Sequence, residues 1–237
     1  MLITSKAIVL NAIKYGDNDL IVKCYTEQGL RTYLIKRIFK QSKGKFSIAY
    51  FQPLTQLEIT ANYKNNRSLH FINDIKISRP YTTIPTNVVK QTMLVFLSEV
   101  LTNALREEEE NLELFHYLET AFFWLDSQEE AANFHLKFLM NLTKYLGFYP
   151  EKEKQSLYFD LLEGKFTDHI TSKHYISGEK LIYFKQLYGT NFEGLDKLKF
   201  NKKSRQSLLE TLIQYFELHL PGFRKPKSLE VLKMVFN

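Results

Sequence analysis

The sequence predicts a β-barrel followed by an all-helical region: a small N-terminal barrel of the OB type over residues 1–79, then a helical domain over residues 80–237 with an irregular segment near 151–177. Three observations carry this reading. Short alternating apolar runs separated by turn residues fill the first 79 residues. From Thr86 onward the apolar period becomes helical. Between them, Pro80 and Pro85 bracket Tyr81 to Ile84, and proline disfavours helix at the residue before it.

The strands follow in order. Thr4 to Lys14 carries Ala7, Ile8, Val9, Leu10 and Ile13, and Gly16-Asp17-Asn18-Asp19 then turns the chain, since these residues accept or cap turn conformations. Leu20 to Tyr25 is the second strand and Leu30 to Ile38 the third, joined by Glu27-Gln28-Gly29. Pro53 closes a long loop, Leu54 to Ala61 alternates as the fourth strand, and Leu69 to Ile72 leads into Ile75–Ile77 as the fifth. Five short strands suit an OB barrel, although an SH3-like barrel has a similar count.

The helices follow the same logic. Val88, Val89, Met93, Leu94, Val95, Phe96, Val100 and Leu101 predict a helix to about Leu105; Asn111 caps the next, over Leu112–Leu125. Glu129 to Leu146 repeats the pattern and ends at Gly147 and Pro150. Leu157 to Phe166 reads as a turn or hairpin around Glu163-Gly164. Later helices run from Gly178 to Leu187, from Asn201 or Ser204 to His219, and from Lys227 to Phe236.

Composition limits the chemistry. The single cysteine, Cys24, excludes an intrachain disulfide and a cysteine-based zinc site. The N-terminus lacks a signal-peptide pattern, and no apolar run approaches the ~20 residues that span a bilayer. The expectation is a soluble, cytoplasmic protein with no membrane partner and no cofactor. Net charge is +6, but residues 1–79 carry +8, residues 80–150 carry −6 and residues 151–237 carry +4. A basic head beside an acidic middle points to a polyanion partner for the head.

No catalytic set stands out, so the chain is read as a non-enzyme. Cys24 sits mid-strand and reads as a barrel residue. His169 and His174, near Asp160, Glu163 and Asp168, match no strong metal-ligand spacing. No glycine-rich phosphate loop is present. The strongest signal is Lys36 to Phe46, which holds five cations, no acid and two aromatics. Cations neutralise phosphates and rings stack on unpaired bases. The DNA-binding candidates are Arg31, Lys36, Arg37, Phe39, Lys40, Lys43, Lys45 and Phe46; a solvated surface loop is the alternative. Lys14, Lys23, Lys64 and Arg67 lie in the same barrel. Arg31, Tyr33 and Ile35 share one strand face, and periodicity leaves open whether Tyr33 faces core or DNA. A second basic run, Lys197 to Arg205, either continues a DNA path or begins a solvated helix.

Several stretches resemble the RecO family of bacterial DNA repair proteins, which are recombination mediators. Tyr15-Gly16-Asp17-Asn18-Asp19 is similar to the family's Tyr-Gly-Glu-x-Asp segment, and Thr26-Glu27-Gln28-Gly29 and the basic loop follow at the expected spacing. Gln52-Pro53-Leu54-Thr55-Gln56-Leu57-Glu58, Leu146-Gly147-Phe148-Tyr149-Pro150, His219-Leu220-Pro221-Gly222-Phe223 and Lys227-Ser228-Leu229-Glu230-Val231-Leu232 look like further family segments in the family's order. The resemblance implies an OB domain and a helical domain. It implies binding of single- and double-stranded DNA, strand annealing, and work with RecR to load RecA, indirectly, onto strands coated by single-strand-binding protein. It also implies that the helical domain takes the acidic C-terminal tail of that coating protein; Lys137 and Lys144 are weak candidates, with ordinary surface lysines as the alternative. Many relatives carry a four-cysteine zinc module after the Leu-Gly-Phe-x-Pro turn. Here Glu151 to His174 has no cysteine, so structural zinc should be absent, with Tyr158 to Leu162 supplying packing. A non-catalytic adaptor whose basic barrel binds acidic protein tails is the competing reading.

Overall fold

A computed structural model of the chain describes residues 1–40, 46–63, 68–105, 110–152 and 155–236. By internal contacts the chain divides into two compact units, residues 1–127 with 226–228, and residues 128–225 with 229–237. The change of period at residues 80–86 falls inside the first unit.

In that unit β1 (Leu2–Tyr15), β2 (Asp19–Thr26), β3 (Gly29–Ile35), β4 (Gln56–Asn62) and β5 (Leu69–Arg79) form a closed barrel. The strand order around it is β1-β2-β3-β5-β4, with β3 and β5 parallel and β1 pairing back onto β4. This is the Greek-key barrel of an OB fold, which decides between the two barrel types the strand count allowed. β1 is long because it serves two neighbours. Leu2–Ile8 pairs with β4 and Ala7–Tyr15 with β2, and a register shift between Val9 and Asn11 bends the strand between these tasks.

Alternation fills the barrel. Val9, Val22, Cys24, Tyr33, Leu57, Ile59 and Ala61 are fully enclosed. Tyr33 is therefore core, and its hydroxyl pairs with that of Tyr63. Burial pushes the Cys24 thiol far up, so it is an inert packing residue rather than a nucleophile.

Two strand boundaries differ from the sequence pattern for one reason. β3 ends at Ile35 rather than Ile38 because Arg37 turns left-handed, at φ 58°. β4 begins at Gln56 rather than Leu54 because Leu54 is also left-handed, at φ 60°, while its N–H donates to the Val9 carbonyl at 2.7 Å.

Two helices complete this unit, α1 (Val88–Ala104) and α2 (Leu112–Ser127). Asn87 and Asn111 cap them, each side chain accepting an N–H of the first turn, from Lys90 and Leu114. Polar contacts fix them to the barrel. Lys6 Nζ donates to Glu119 at 2.8 Å, and Gln56 Nε2 donates to the Glu119 carbonyl at 3.0 Å. The proline-bracketed link is held by Asp126, whose carboxylate accepts the N–H groups of Thr82, Thr83 and Ile84 at 2.8–2.9 Å. Lys90, itself buried, donates to Thr83 Oγ1 and the Asp126 carbonyl.

The second unit packs α3 (Phe134–Tyr145), α4 (Gly178–Gly189), α5 (Lys202–His219) and α6 (Leu229–Val235) with a small sheet of β6 (Tyr158–Asp160), β7 (Lys165–Thr167) and β8 (Tyr175–Ser177), ordered β7-β6-β8. α3 starts five residues later than the apolar pattern from Glu129 suggests. The chain turns at Ala131–Phe134, and the Asn133 amide donates to the carbonyl of Leu198 at 2.8 Å instead of capping the helix. The segment read as irregular holds β6 (Tyr158–Asp160), β7 (Lys165–Thr167) and β8 (Tyr175–Ser177), with the expected hairpin at Glu163-Gly164. Gly164 is required there: its φ is 68°, and a Cβ would lie 2.6 Å from the Tyr215 hydroxyl.

This segment does not suit a metal. Among the described residues no group of three or more His, Cys, Asp or Glu could hold an ion. Asp160 is buried, and its carboxylate accepts from the N–H groups of Leu162 and Glu163 at 2.8 and 3.1 Å and from the Thr171 hydroxyl. His174 pairs with Gln214 at 3.2 Å, while His169 is exposed. Phe159 supplies the hydrophobic fill, with the Phe166 and Phe184 rings 4.8 and 4.6 Å away. Hydrogen bonds to one carboxylate and an aromatic cluster thus fasten the segment.

Two predictions follow from these fasteners. Burial alone would raise the Asp126 carboxyl, but the N–H groups of Thr82, Ile84 and Thr83 outweigh it and hold it below the usual carboxylate value. Its contribution is therefore present above about pH 4 and lost as pH falls through the depressed folded value. Asp126→Ala should cost about 3 kcal/mol in urea unfolding at pH 7, and less at pH 3. Asp160→Ala should lower Tm by about 4–8 °C, whereas a chelator should leave the Tm of the unaltered protein unchanged; stoichiometric zinc in the purified protein would contradict this.

Candidate nucleic-acid interface

Strand pairing builds the interface. Ile13 pairs with Ile21, Ile21 with Leu34, and Leu34 with Phe71. Paired residues point the same way, and the neighbouring row, Ala12, Val22, Tyr33 and His70, faces the barrel interior. The Ile13–Phe71 row therefore crosses the outer surface of four strands. Ile13 is 58% exposed and Phe71 37%, with Ile21 and Leu34 half-buried between them. A solvated sheet face would be polar at these positions. One row away stands Lys23, opposite Thr32, and Lys36 leaves the other side just past the end of β3.

The basic loop is anchored by the β1–β2 turn. Asp19 Oδ1 accepts the Arg37 N–H at 2.8 Å, and the Asn18 carbonyl accepts the Phe39 N–H at 3.2 Å. Arg37 needs that support, because a left-handed non-glycine residue costs about 1–2 kcal/mol. Lys14 comes to 5.6 Å from the Phe39 ring centroid, and Lys36 to 5.1 Å from that of Phe71. Lys14, Lys36, Arg37, Phe39 and Lys40 are exposed. Phe46 behaves differently: it packs half-buried against the barrel core. With Leu34, Lys36, Ile38, Phe71 and Ile72 it lines a pocket of about 170 Å³.

The other expected residues fall elsewhere. Arg31 lies five residues before Lys36, about 17 Å back along β3, on the inward-facing register. It is half-buried and donates to the Leu30 carbonyl at 2.8 Å. Burial, then the Arg31 charge, holds the His70 imidazole below its ordinary value. Lys43, Lys45, Lys64 and Arg67 lie outside the described residues. In the second unit Lys137 is buried, and its ammonium donates to the carbonyls of Leu187 and Tyr188, both at 3.2 Å, at the end of α4. Burial brings its pKa down to about 8. Lys144, two turns along α3, is exposed, so the two lysines are not brought together. In the 197–205 run, Lys197, Lys199, Lys202 and Lys203 are exposed, while Arg205 donates to the Phe200 carbonyl at 2.6 Å beside the Asn201 cap.

Sequence reasoning missed Ile13, Ile21, Leu34 and Phe71 as a surface, and Asp19 as its anchor. Alternation carried part of the signal, because apolar residues occupy both faces of β2 and β3. The pairing that aligns them, above all that of β3 with the distant β5, is invisible to a local pattern.

Comparison with known proteins agrees with this architecture. Residues 1–81 match the family model for the recombination protein O N terminal region, and residues 85–230 match that for its C terminal region. Proteins named DNA repair protein RecO are similar over their full length and that of this chain. Identity is 48% for the one from Christiangramia forsetii, 44% for Flavobacterium psychrophilum and 38% for Bacteroides fragilis.

The Asp19 anchor separates geometry from charge. Deleting an acid among cations should tighten a polyanion if charge alone matters. If Asp19 holds the turn, Asp19→Ala should weaken single-stranded oligonucleotide binding by about three- to tenfold, within the range of one lost hydrogen bond. Asp19→Asn, which keeps an acceptor oxygen, should bind at least as tightly as the unaltered chain. Hydrogen exchange at the Arg37 amide should rise only in the alanine variant.

Proposed function

The chain belongs to the RecO family of DNA repair proteins, and we propose that it acts as a non-catalytic recombination mediator. It binds single- and double-stranded DNA, anneals complementary strands and, with RecR, helps load RecA onto strands coated by single-strand-binding protein. The observation that carries the DNA-binding part is the exposed apolar row Ile13–Ile21–Leu34–Phe71, flanked by Lys23 and Lys36. An apolar surface for base faces beside cations for phosphates is the chemistry of sequence-independent single-strand binding, and this strand face is one that OB folds use.

The proposed mechanism is electrostatic and structural. Lys14, Lys36, Arg37 and Lys40, with Lys43 and Lys45 of the same loop, neutralise phosphates. That lowers repulsion between complementary strands, while the apolar row keeps bases unstacked and available for pairing. Base-edge recognition has no support here, so sequence preference should be weak. The barrel would serve as the DNA-binding domain and the helical domain as the site of partner contacts, among them the acidic tail of single-strand-binding protein. With Lys137 committed to backbone carbonyls, Lys144 is the more accessible of the two lysines considered for that tail. The work belongs in the cytoplasm, at the nucleoid.

A second reading, an adaptor for acidic protein tails, draws support from a groove of about 460 Å³ between the barrel and α1, lined by Gln52, Ile77, Arg79, Tyr81, Leu94 and Val95 among others. An acidic peptide that displaced DNA from the basic face would favour it.

Replacing Lys36, Arg37, Lys40, Lys43 and Lys45 together by alanine tests the main reading. Single-strand affinity should fall more than tenfold at low salt, and the slope of log K against log salt should flatten by about 0.7 per lost phosphate contact. Strand annealing should fall in parallel. Unchanged affinity and slope would remove this loop from the interface.

A further inference from the structure

The pocket between Phe46 and Phe71 has no role in a grip made only on phosphates. Its volume of about 170 Å³ suits one heterocyclic ring, since an apolar cavity of about 150 Å³ accepts benzene. Its lining side chains are aliphatic or aromatic apart from Lys36, so it offers contact to a ring face rather than a code for a base edge. Lys36 stands at the pocket, with its ammonium 5.1 Å from the Phe71 ring centroid. Arg37 follows in the anchored turn, and Phe39 and Lys14 face each other nearby in the same loop–turn assembly.

We propose that this pocket receives one unpaired nucleobase, with Lys36 taking the adjoining phosphate, so that the barrel favours single strands over duplex. The proposal rests on the DNA-binding reading above and deepens it. Charge complementarity selects the occupant: an apolar ring slot beside a run of cations fits a flat ring attached to a phosphodiester. In a duplex every internal base is paired and stacked, so it enters the slot only after unpairing. In a single strand that cost is small. Contact with ring faces tolerates any base, which suits a protein that must act on strands of any sequence.

Three DNA probes test this with the full-length protein: a short single strand, a strand of equal length and phosphate count whose sugars carry no bases, and a blunt duplex. The intact strand should bind about tenfold more tightly than the base-less one, the size of a single lost stack. Leu34→Trp, which fills the slot, should remove that difference. Phe71→Ala, at a partly exposed wall residue, should reduce the difference in the same way and guards against a folding defect in the first variant. Equal binding of intact and base-less strands overturns the pocket while leaving a phosphate grip standing. Failure of all three probes to bind overturns the pocket and the DNA-binding reading together. Tighter binding of an acidic, phenylalanine-bearing peptide, blocked by Leu34→Trp with no loss of base dependence, assigns the slot to a peptide and also overturns the proposal.

Discussion

Barrel closure is the constraint on which the proposed DNA-binding surface depends. Thr32, Tyr33 and Leu34 of β3 pair in parallel with Leu69, His70 and Phe71 of β5, while β1 pairs back onto β4. Together these close the sheet, leaving edge backbone only where β3 and β5 run beyond their three-residue pairing. The parallel pairing also puts Tyr33 and His70 inside and Leu34 and Phe71 outside, side by side. Because strand period is two, a one-residue slip would exchange them, burying the outer row and expelling Tyr33. The interior therefore protects the register of the outer face. Ring contacts among Tyr33, Tyr63 and His70, 4.6–6.4 Å between centroids, reinforce that register from within.

Carboxylates used as backbone acceptors are the second theme. Asp19 holds the strained Arg37 turn, Asp126 takes three N–H groups of the proline-bracketed link, and Asp160 closes the hairpin of the small sheet. In each case a side-chain carboxyl oxygen satisfies donors that regular secondary structure leaves over, at a place where the chain changes direction. This chemistry explains how residues 151–177 fold without a cysteine cluster. It also explains why an acid sits within a basic interface: the Asp19 charge is the cost of fixing where the cations stand.

Much of this was legible in the sequence. All five barrel strands, the cap at Asn111, the Glu163-Gly164 hairpin and the stop at Gly147 follow from local rules, because alternation, capping and left-handed turns act within a few residues; the start of α5, open between Asn201 and Ser204 in the sequence, is capped by Asn201. Long-range or competing interactions hid the rest. Tyr33 could not be assigned from β3 alone, since both faces of that strand carry apolar residues; the β5 partner decides it. Arg37 and Leu54 shorten their strands through bonds to Asp19 and Val9, far away in sequence. The helix expected from Glu129 begins only at Phe134, because the Asn133 amide before it serves the Leu198 carbonyl. Lys137 looks like a surface lysine, but the end of α4 arrives from 50 residues away to bury it. The Ile13–Phe71 row is the same lesson at the candidate site: each residue is ordinary, and only the pairing makes a surface.

In the proposed complex, nucleic acid lies across the outer face of β1, β2, β3 and β5 and is gripped by the turn that Asp19 anchors. Backbone amide shifts of the isotope-labelled protein, titrated with a short single strand, report this most directly. The account predicts the largest changes at Ile13, Ile21, Lys23, Leu34, Lys36, Arg37, Phe39 and Phe71, with little change in the second unit. Changes concentrated instead at Lys197–Arg205, with the barrel face silent, would contradict it.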